Sequence, residues 1–355
     1  MRAVGAEQVE EAVAYCVTAL GAVTDRNWEE VRAGRLEWSC RRTAEHIASD
    51  LVAYAAQLAG RAQDAYVPFG FGLDEDTGNT GVLQVITTTG ALLAAAVRTT
   101  PRPVRAFHPH PFGHANREGF AAMGVAEVLL HTHDIAEGLG IDHEPPAGLA
   151  SFVLTRIFPR VRPGREPWPT LLWATGRGDL PGREPVTGWK WSNNPVLGAE
   201  RLTLEGVTPA TAADLSLAGD GGYDWIGGAA AEGTREGAGI TVKQYEEGAF
   251  HPEWGMYVLV RREDDRAVGA MGFHGVPDAD GRVEIGYDLV PGARGNGYAT
   301  EALRTLSHWA LDQDGVRTVV AVVERENVPS RNVVARAGFT RAGEDAGQIT
   351  YALRG

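Results

Sequence analysis

Two groups of residues in this 355-residue chain have the types and spacing to do chemistry. One is the run Arg294-Gly295-Asn296-Gly297-Tyr298-Ala299. Its two glycines let the backbone fold closely around a ligand. An amphipathic helix expected from about Ala299 would point unpaired N–H groups and its positive dipole end into the turn. This is the chemistry of an anion site, and a pyrophosphate fits it. The other is Glu127, the one ionisable side chain between Gly119 and Leu130, with His131 four residues on and Asp134 at seven. A helix so apolar is buried nearly all round, and a carboxylate carried into it is costly unless it is paired, hydrogen-bonded or bound to a metal. His46 sits beside the apolar stripe of an earlier helix. Together, His46, Glu127 and His131 offer three N/O ligands with open positions, the pattern of a catalytic-type site for zinc, nickel or Fe(II). The same spacing also describes a Glu–His pair bonded inside a bundle core.

The elements that must position these groups follow from periodicity. Helical spacing predicts helices over Glu7–Leu20, Thr43–Ala59, Val82–Val97 and Arg117–Glu137, with Ile47, Leu51, Tyr54 and Leu58 on one stripe and Thr43 as N-cap. Four such helices suggest a bundle. His133 is turned away from the Glu127–His131 face, and His108, His110 and His114 alternate with prolines in a loop that either lids the site or is exposed. Two apolar runs, Leu171–Gly176 and Gly188–Ser192, read as short strands, followed by a linker near Asn194–Glu200. Beyond it come a strand at Arg201–Val207, a helix after Pro209, a glycine-rich stretch over Gly221–Gly239, and strands at Tyr257–Val260, Val268–Phe273 and Val283–Val290. The glycine turn and its helix precede a last β-branched run, Thr318–Val323. That order predicts a mixed sheet.

Length and charge narrow the functions. The chain is long enough for about two domains, each with its own core. A formal charge of −13 argues against a nucleic-acid surface, which would want a basic patch. The expected partner is a small-molecule or peptide amine. Cys16 and Cys40 form no metal or redox motif, and no 18-residue apolar run or charged leader is evident, so a cytoplasmic protein without membrane contact is expected. Oligomeric state is not legible.

The flanking residues sort the readings of the glycine turn. A Walker A loop would end in Gly-Lys-Ser/Thr, and there is no lysine; a dinucleotide fingerprint wants a small residue where Thr300 stands. Arg294, Gly297 and Ala299 match the Arg/Gln-x-x-Gly-x-Gly/Ala loop of the GNAT acetyltransferases. The preceding strand Val283–Val290 and the later Asn327, Ser330 and Ala337-Gly338-Phe339 extend the match, so residues 200 to 355 resemble that family. The resemblance implies an α+β GNAT acyl-CoA N-acyltransferase fold with a mixed sheet split at the site of acetyl-CoA. Arg294, Gly295, Asn296, Gly297, Tyr298 and Ala299 would then hold the pyrophosphate. Leu289 and Val290 would pair with the pantetheine arm, Asn327 and Ser330 would contact its lower part, and Glu284 would be the base. Val334 stands where many members carry a tyrosine general acid, so Tyr298 or another group would donate. The Ser330-x-x-Val333 pattern is closer to the branch that acetylates protein N-termini.

His46, Glu127-x-x-x-His131 and His131-Thr132-His133-Asp134-Ile135 resemble the DinB-like bundle of the mycothiol-dependent maleylpyruvate isomerases. That likeness covers about residues 1 to 197. It implies an all-α four-helix bundle with a small β appendage, a divalent metal on His46, Glu127 and His131, with zinc first and nickel or iron as alternatives, and mycothiol as co-substrate. The expected organisation is therefore a metal-binding bundle over 1–197 and an acetyltransferase domain over 198–355. The leading expectation is an acetyl-CoA-dependent N-acetyltransferase acting on a primary amine, a small molecule or a protein N-terminus, fused to the bundle. The alternatives are a metal- and mycothiol-dependent isomerase or S-transferase with the second half secondary, and a non-catalytic CoA-sensing interaction protein.

Overall fold

Four long helices, α1 (Ala6–Gly21), α2 (Cys40–Gly60), α3 (Asn79–Thr99) and α4 (Arg117–Leu139), build the first unit of the computed structural model, which describes residues 5–109, 113–189 and 191–355. Ser39, rather than Thr43, caps α2: its Oγ accepts from the Arg42 N–H at 3.2 Å. Thr43 lies one turn inside and spends its hydroxyl on the Ser39 carbonyl at 2.9 Å, as a hydroxyl within a helix commonly does. Asn116 caps α4 by accepting from the Gly119 N–H, and Gly140 ends it in the left-handed region at φ 63°. Between Phe120 and Leu129 every side chain of α4 is sealed from solvent except Glu127, which is 9% exposed. This helix lies at the centre of the unit, packed on α1, α2 and a fifth helix, α5 (Ala147–Ile157).

Two further expectations for this half are corrected. The run Leu171–Gly176 is no strand but lies mostly in α6 (Pro167–Ala174), where Trp168, Leu171 and Ala174 are buried at helical spacing. Gly188–Ser192 carries no regular element at its described residues. Among the described residues, this unit's named strands form a two-stranded ribbon, β1 (Arg105–Ala106) with β2 (Ala115–Asn116), just before α4. By length and mean hydropathy α3 could cross a membrane, although threonine, glycine and glutamine interrupt its apolar residues. It packs on α1 and α2 in the bundle.

The second unit begins at Asn194. The stretch read as linker is a strand, β3 (Val196–Gly198), paired antiparallel with β4 (Leu202–Gly206). Next come α7 (Pro209–Ser216), the short β5 (Asp224–Trp225) and α8 (Glu232–Glu247), so the glycine-rich stretch runs into a helix. The strands β6 (Met256–Arg261), β7 (Arg266–Phe273) and β8 (Arg282–Leu289) form a meander that leads into α9 (Tyr298–Leu311). The chain ends with β9 (Thr318–Glu324), α10 (Val328–Arg336), β10 (Thr340–Asp345) and β11 (Gln348–Arg354). The mixed sheet has nine strands in the order β10-β11-β9-β8-β7-β6-β4-β3, with β5 beside β7.

One join in that sheet matters for function. The strands β8 and β9 run parallel and pair only from Arg282 with Thr318 to Glu284 with Val320. Past Glu284 they part. From Ile285 onward β8 keeps β7 as its strand neighbour, while β9 stays paired with β11 along its whole length.

Candidate functional site

The wedge between β8 and β9 opens toward the glycine loop. After β8 a single 3₁₀ turn, Pro291–Ala293, hands the chain to Arg294, and both Gly295 (φ 79°) and Gly297 (φ 80°) sit in the left-handed region that side chains resist. Asn296 braces the turn, its Nδ2 donating to the carbonyls of Ala293 at 3.2 Å and Arg294 at 3.1 Å. Gly297 heads α9 without any side-chain cap, which leaves the first-turn N–H groups facing the loop's concave side. Glu301 fixes this helix start from behind, accepting from the backbone N–H groups of Arg201 and Leu202 and from the Arg201 guanidinium. The six residues Arg294 to Ala299 are thus brought into one turn.

Several predicted side chains do something other than expected. Arg294 folds back, its Nε donating to the Leu289 carbonyl at 3.0 Å with Nη2 3.6 Å from Asp288. The Val290 N–H is spent on the Val268 carbonyl. These contacts use the Leu289 carbonyl and the Val290 N–H, and from Ile285 onward β8 has no β9 partner. Asn327 caps α10 through Oδ1, which accepts from the Ser330 N–H at 3.1 Å. Tyr298 turns to the far side, under the Arg201 guanidinium at 4.9 Å and bonded to Arg261, and Val334 is sealed in the core.

Sequence reasoning missed the tyrosine that does reach the site. Tyr287 lines a cavity of about 220 Å³ under α8, together with Met256, Met271, Phe273, His274 and Asp288. Its hydroxyl lies 2.6 Å from Ser330 Oγ, and burial raises its pKa above the ordinary value. Alternation along β8 turns the Tyr287 side chain to the face opposite Glu284, Gly286 and Asp288, toward Ser330. Asp288 accepts from the Gly233 N–H of α8 at 3.0 Å. Glu284 is half-exposed at the rim, 3.0 Å from His274 Nδ1.

In the first unit His46, Glu127 and His131 do converge. One ligand atom from each lies within 4.8 Å of the other two, with Glu127 Oε2 3.0 Å from His131 Nε2 and 3.8 Å from His46 Nε2. Behind them stands a chain the sequence only half showed. His131 Nδ1 meets Asp134 Oδ2 at 3.0 Å, and Arg177 grips Asp134 with Nε and Nη2 at 3.0 and 2.9 Å. Asp50, one turn beyond His46, lies 3.3 Å from its Nε2. The two histidines form part of the floor of a cavity of about 420 Å³ walled by Trp38 and Trp189, with Arg35 and Arg177 at its edge.

Burial opposes charge on every member, and the partners decide the outcome. For His131 the hydrogen bonds to Asp134 and Glu127 outweigh burial and lift its pKa from 6.5 to about 9. Burial would raise Asp134 too, but His131 and Arg177 hold it below the ordinary carboxylate value. Burial and the Glu127 charge push Asp50 up to about 8, and burial holds His46 below its usual range. A raised histidine pKa stabilises the fold fully below about 6.5 and ceases to do so as pH climbs through about 9; a depressed carboxylate acts above its ordinary 3.8 and fails as pH falls below it. Melting temperatures of metal-free protein should therefore fall between pH 6.5 and 9, and Asp134→Asn should flatten that slope. A wild-type melting curve with no such fall would show that His131 is not held protonated.

Three other histidines of the first unit pack or hydrogen-bond within it. His133 faces away from the ligands, as expected, and its Nδ1 lies 2.9 Å from His143 Nε2 beside Trp168. His108 is buried among Tyr54, Phe120 and Trp191 rather than exposed. His114 Nε2 lies 2.6 Å from the Gln63 carbonyl; His110 lies outside the described residues.

Comparison with known proteins identifies the second unit. Residues 201–340 match the family model of the acetyltransferase (GNAT) domain, so this part of the chain is a GNAT domain with its mixed sheet. Two uncharacterized N-acetyltransferases of Bacillus subtilis are similar to it: YjdG is 34% identical over 83 residues and YoaA 30% over 90. Those matches cover 23% and 25% of this chain and 49% of each relative, so the chain spans about half the length of the relatives it matches. Among solved structures, a GNAT-family acetyltransferase from Bacillus anthracis is similar at 19% identity and a TM-score of 0.33, covering 45% of this chain and 98% of that one. A putative ribosomal-protein-serine acetyltransferase from Vibrio cholerae is similar at 19% identity and 0.34, with the same coverage.

Proposed function

We propose that residues 198–355 transfer an acetyl group from acetyl-CoA to a primary amine, on a small molecule or a protein N-terminus. The observation that carries this reading is one juxtaposition. An uncapped helix start behind two left-handed glycines lies at the mouth of a strand wedge, and the wedge leads to a cavity with an acidic rim. Acetyl-CoA, when bound, supplies an activated thioester. The N–H groups of the loop and of the first turn of α9 hold the pyrophosphate, and the free edge of β8 aligns the arm. The basic unit containing Glu284 takes the amine proton. Tyr287 holds a proton at its hydroxyl, 2.6 Å from Ser330 Oγ, for the departing thiolate, the task that Val334 cannot perform. The acidic rim of Glu236, Glu284 and Asp288 favours a cationic amine.

The reading is tested by calorimetry of acetyl-CoA against the full chain and by thiol release with a panel of amines and peptides. Failure to bind at millimolar acetyl-CoA would remove it. Tyr287→Phe should lower turnover by about 10² or more if the hydroxyl is the acid, with acetyl-CoA affinity unchanged. Full turnover in that variant would leave the thiolate departing unaided.

The geometry of His46, Glu127 and His131 favours a second reading beside the first: a site for one divalent ion, zinc first, with nickel or Fe(II) as alternatives. The residues fit such a group. The donor set is N₂O, the ligand atoms share one centre, and a carboxylate holds His131 Nδ1 so that Nε2 is presented to the cluster. A metal there would supply Lewis acidity toward the Trp-walled cavity, and the chemistry suits activation of a thiol of the mycothiol kind.

A further inference from the structure

We infer that His274, and not the carboxylate beside it, takes the proton from the acceptor amine, with Glu284 as its positioning partner. This rests on the acetyltransferase reading of the cavity. His274 follows directly on β7, and its backbone N–H donates to the Glu284 carbonyl at 3.0 Å, which pins the residue to β8. Its own carbonyl accepts from Gln244 of α8 at 3.4 Å. The side chain then lies across β8: Nδ1 is 3.0 Å from Glu284 Oε1, and Nε2 is 2.9 Å from where a Cβ on Gly286 would stand. A Cβ at 286 would force the ring to shift. The imidazole lines the cavity, whereas Glu284 lies outside its lining.

This geometry assigns the tautomer. A carboxylate accepts only, so Nδ1 carries the proton and the lone pair is left on Nε2, the nitrogen lying over Gly286. The other charged groups facing the cavity are Glu236 from α8 and Asp288 from β8. Asp288 is committed to the Gly233 N–H and lies near Arg294, so it anchors α8 rather than moving protons. Glu236, Glu284 and Asp288 would draw in an ammonium, which gives its proton to Nε2. The imidazolium passes that proton to water; the freed nitrogen lone pair forms the N–C bond at the thioester carbonyl and the C–S bond breaks with its electron pair on sulfur. The second nitrogen proton, lost as the amide forms, goes to Nε2 and on to water, while the thiolate takes its proton from Tyr287, which regains one from water.

The test uses the full chain with His274→Gln, Glu284→Gln and Gly286→Ala. Nitrogen-resolved NMR of wild type should show the proton of neutral His274 on Nδ1, and Glu284→Gln should change that tautomer balance. In kinetics, His274→Gln should lower kcat/KM by about 10²–10⁴ and abolish its rise through the imidazole range. Glu284→Gln should cost about tenfold, keep that rise and displace it to a different pH. Gly286→Ala should lower kcat by moving the ring. Acetyl-CoA affinity should be unchanged in His274→Gln and Glu284→Gln. A His274→Gln protein that keeps the wild-type rate and pH profile overturns the assignment, as does a Glu284→Gln protein as inactive as His274→Gln with its tautomer unchanged. A wild-type protein that binds no acetyl-CoA takes the cavity reading down with it; one that binds and turns over while His274→Gln is unaffected overturns this inference alone.

Discussion

Replacing Gly297 by valine should weaken acetyl-CoA binding at least 100-fold. Gly297 sits at φ 80°, a conformation that β-branched residues resist at a cost of about 1–3 kcal/mol. That strain could be relieved only by turning the peptide planes whose N–H groups form the cradle. A side chain there would also meet Arg201, whose Nη2 lies 3.4 Å from the ideal Cβ position, and it would hold a phosphate away from the backbone. The first unit has its own core, so its helical circular dichroism should persist. Calorimetry showing wild-type affinity in this variant would remove the pyrophosphate from the loop.

His131→Ala should lose one equivalent of divalent metal while the bundle stays folded. The apolar stripes of α4 remain, from Phe120 to Leu129. Without the imidazole, Glu127 and His46 are left as two ligands, and affinity should drop by several orders of magnitude. The pH dependence separates this site from an exposed histidine cluster. An ordinary imidazole begins to compete for its proton near pH 6.5, but His131, held by Asp134 and Glu127, starts at about 9. Apparent affinity should therefore fall about tenfold per pH unit below 9, with a proton released per metal bound at pH 7. Protein that carries no metal on elemental analysis and takes up none on titration would make this cluster a hydrogen-bonded core.

The letters revealed elements wherever local pattern and tertiary need agreed. Helix α4, read from the sequence as Arg117–Glu137, was legible almost to its ends because its apolar run is long and broken only by Glu127, while its asparagine cap and terminal glycine emerged only in the structure. Strand β8, the glycine turn and α9 were legible as well. Helix α6 was misread because its apolar residues stand next to one another, and only burial at positions 168, 171 and 174 reveals the helical period. The ligand triad could be drawn from spacing, since i and i+4 share a helix face. Arg177, which holds Asp134 from 43 residues away in sequence, could not. Likewise Tyr287 and His274 look like ordinary strand residues until the wedge and Gly286 place one over Ser330 and the other over the cavity.

Sheets usually keep their unpaired edges at the outside, where charge or short length guards them against stray strands. Here the parting of β8 from β9 after Glu284 puts such an edge in the middle of the sheet, over Ile285–Asp288. It is guarded at one end by Arg294, which stoppers the Leu289 carbonyl. A ligand with amide groups spaced along an extended arm would fill the gap as a substitute strand. If acetyl-CoA takes that place, as proposed, the ligand-free protein should aggregate more readily than the ligand-bound one, which light scattering with and without acetyl-CoA would check. At a ligand concentration 100 times Kd the gain is about 2.7 kcal/mol, enough to move a marginal domain from degraded to abundant.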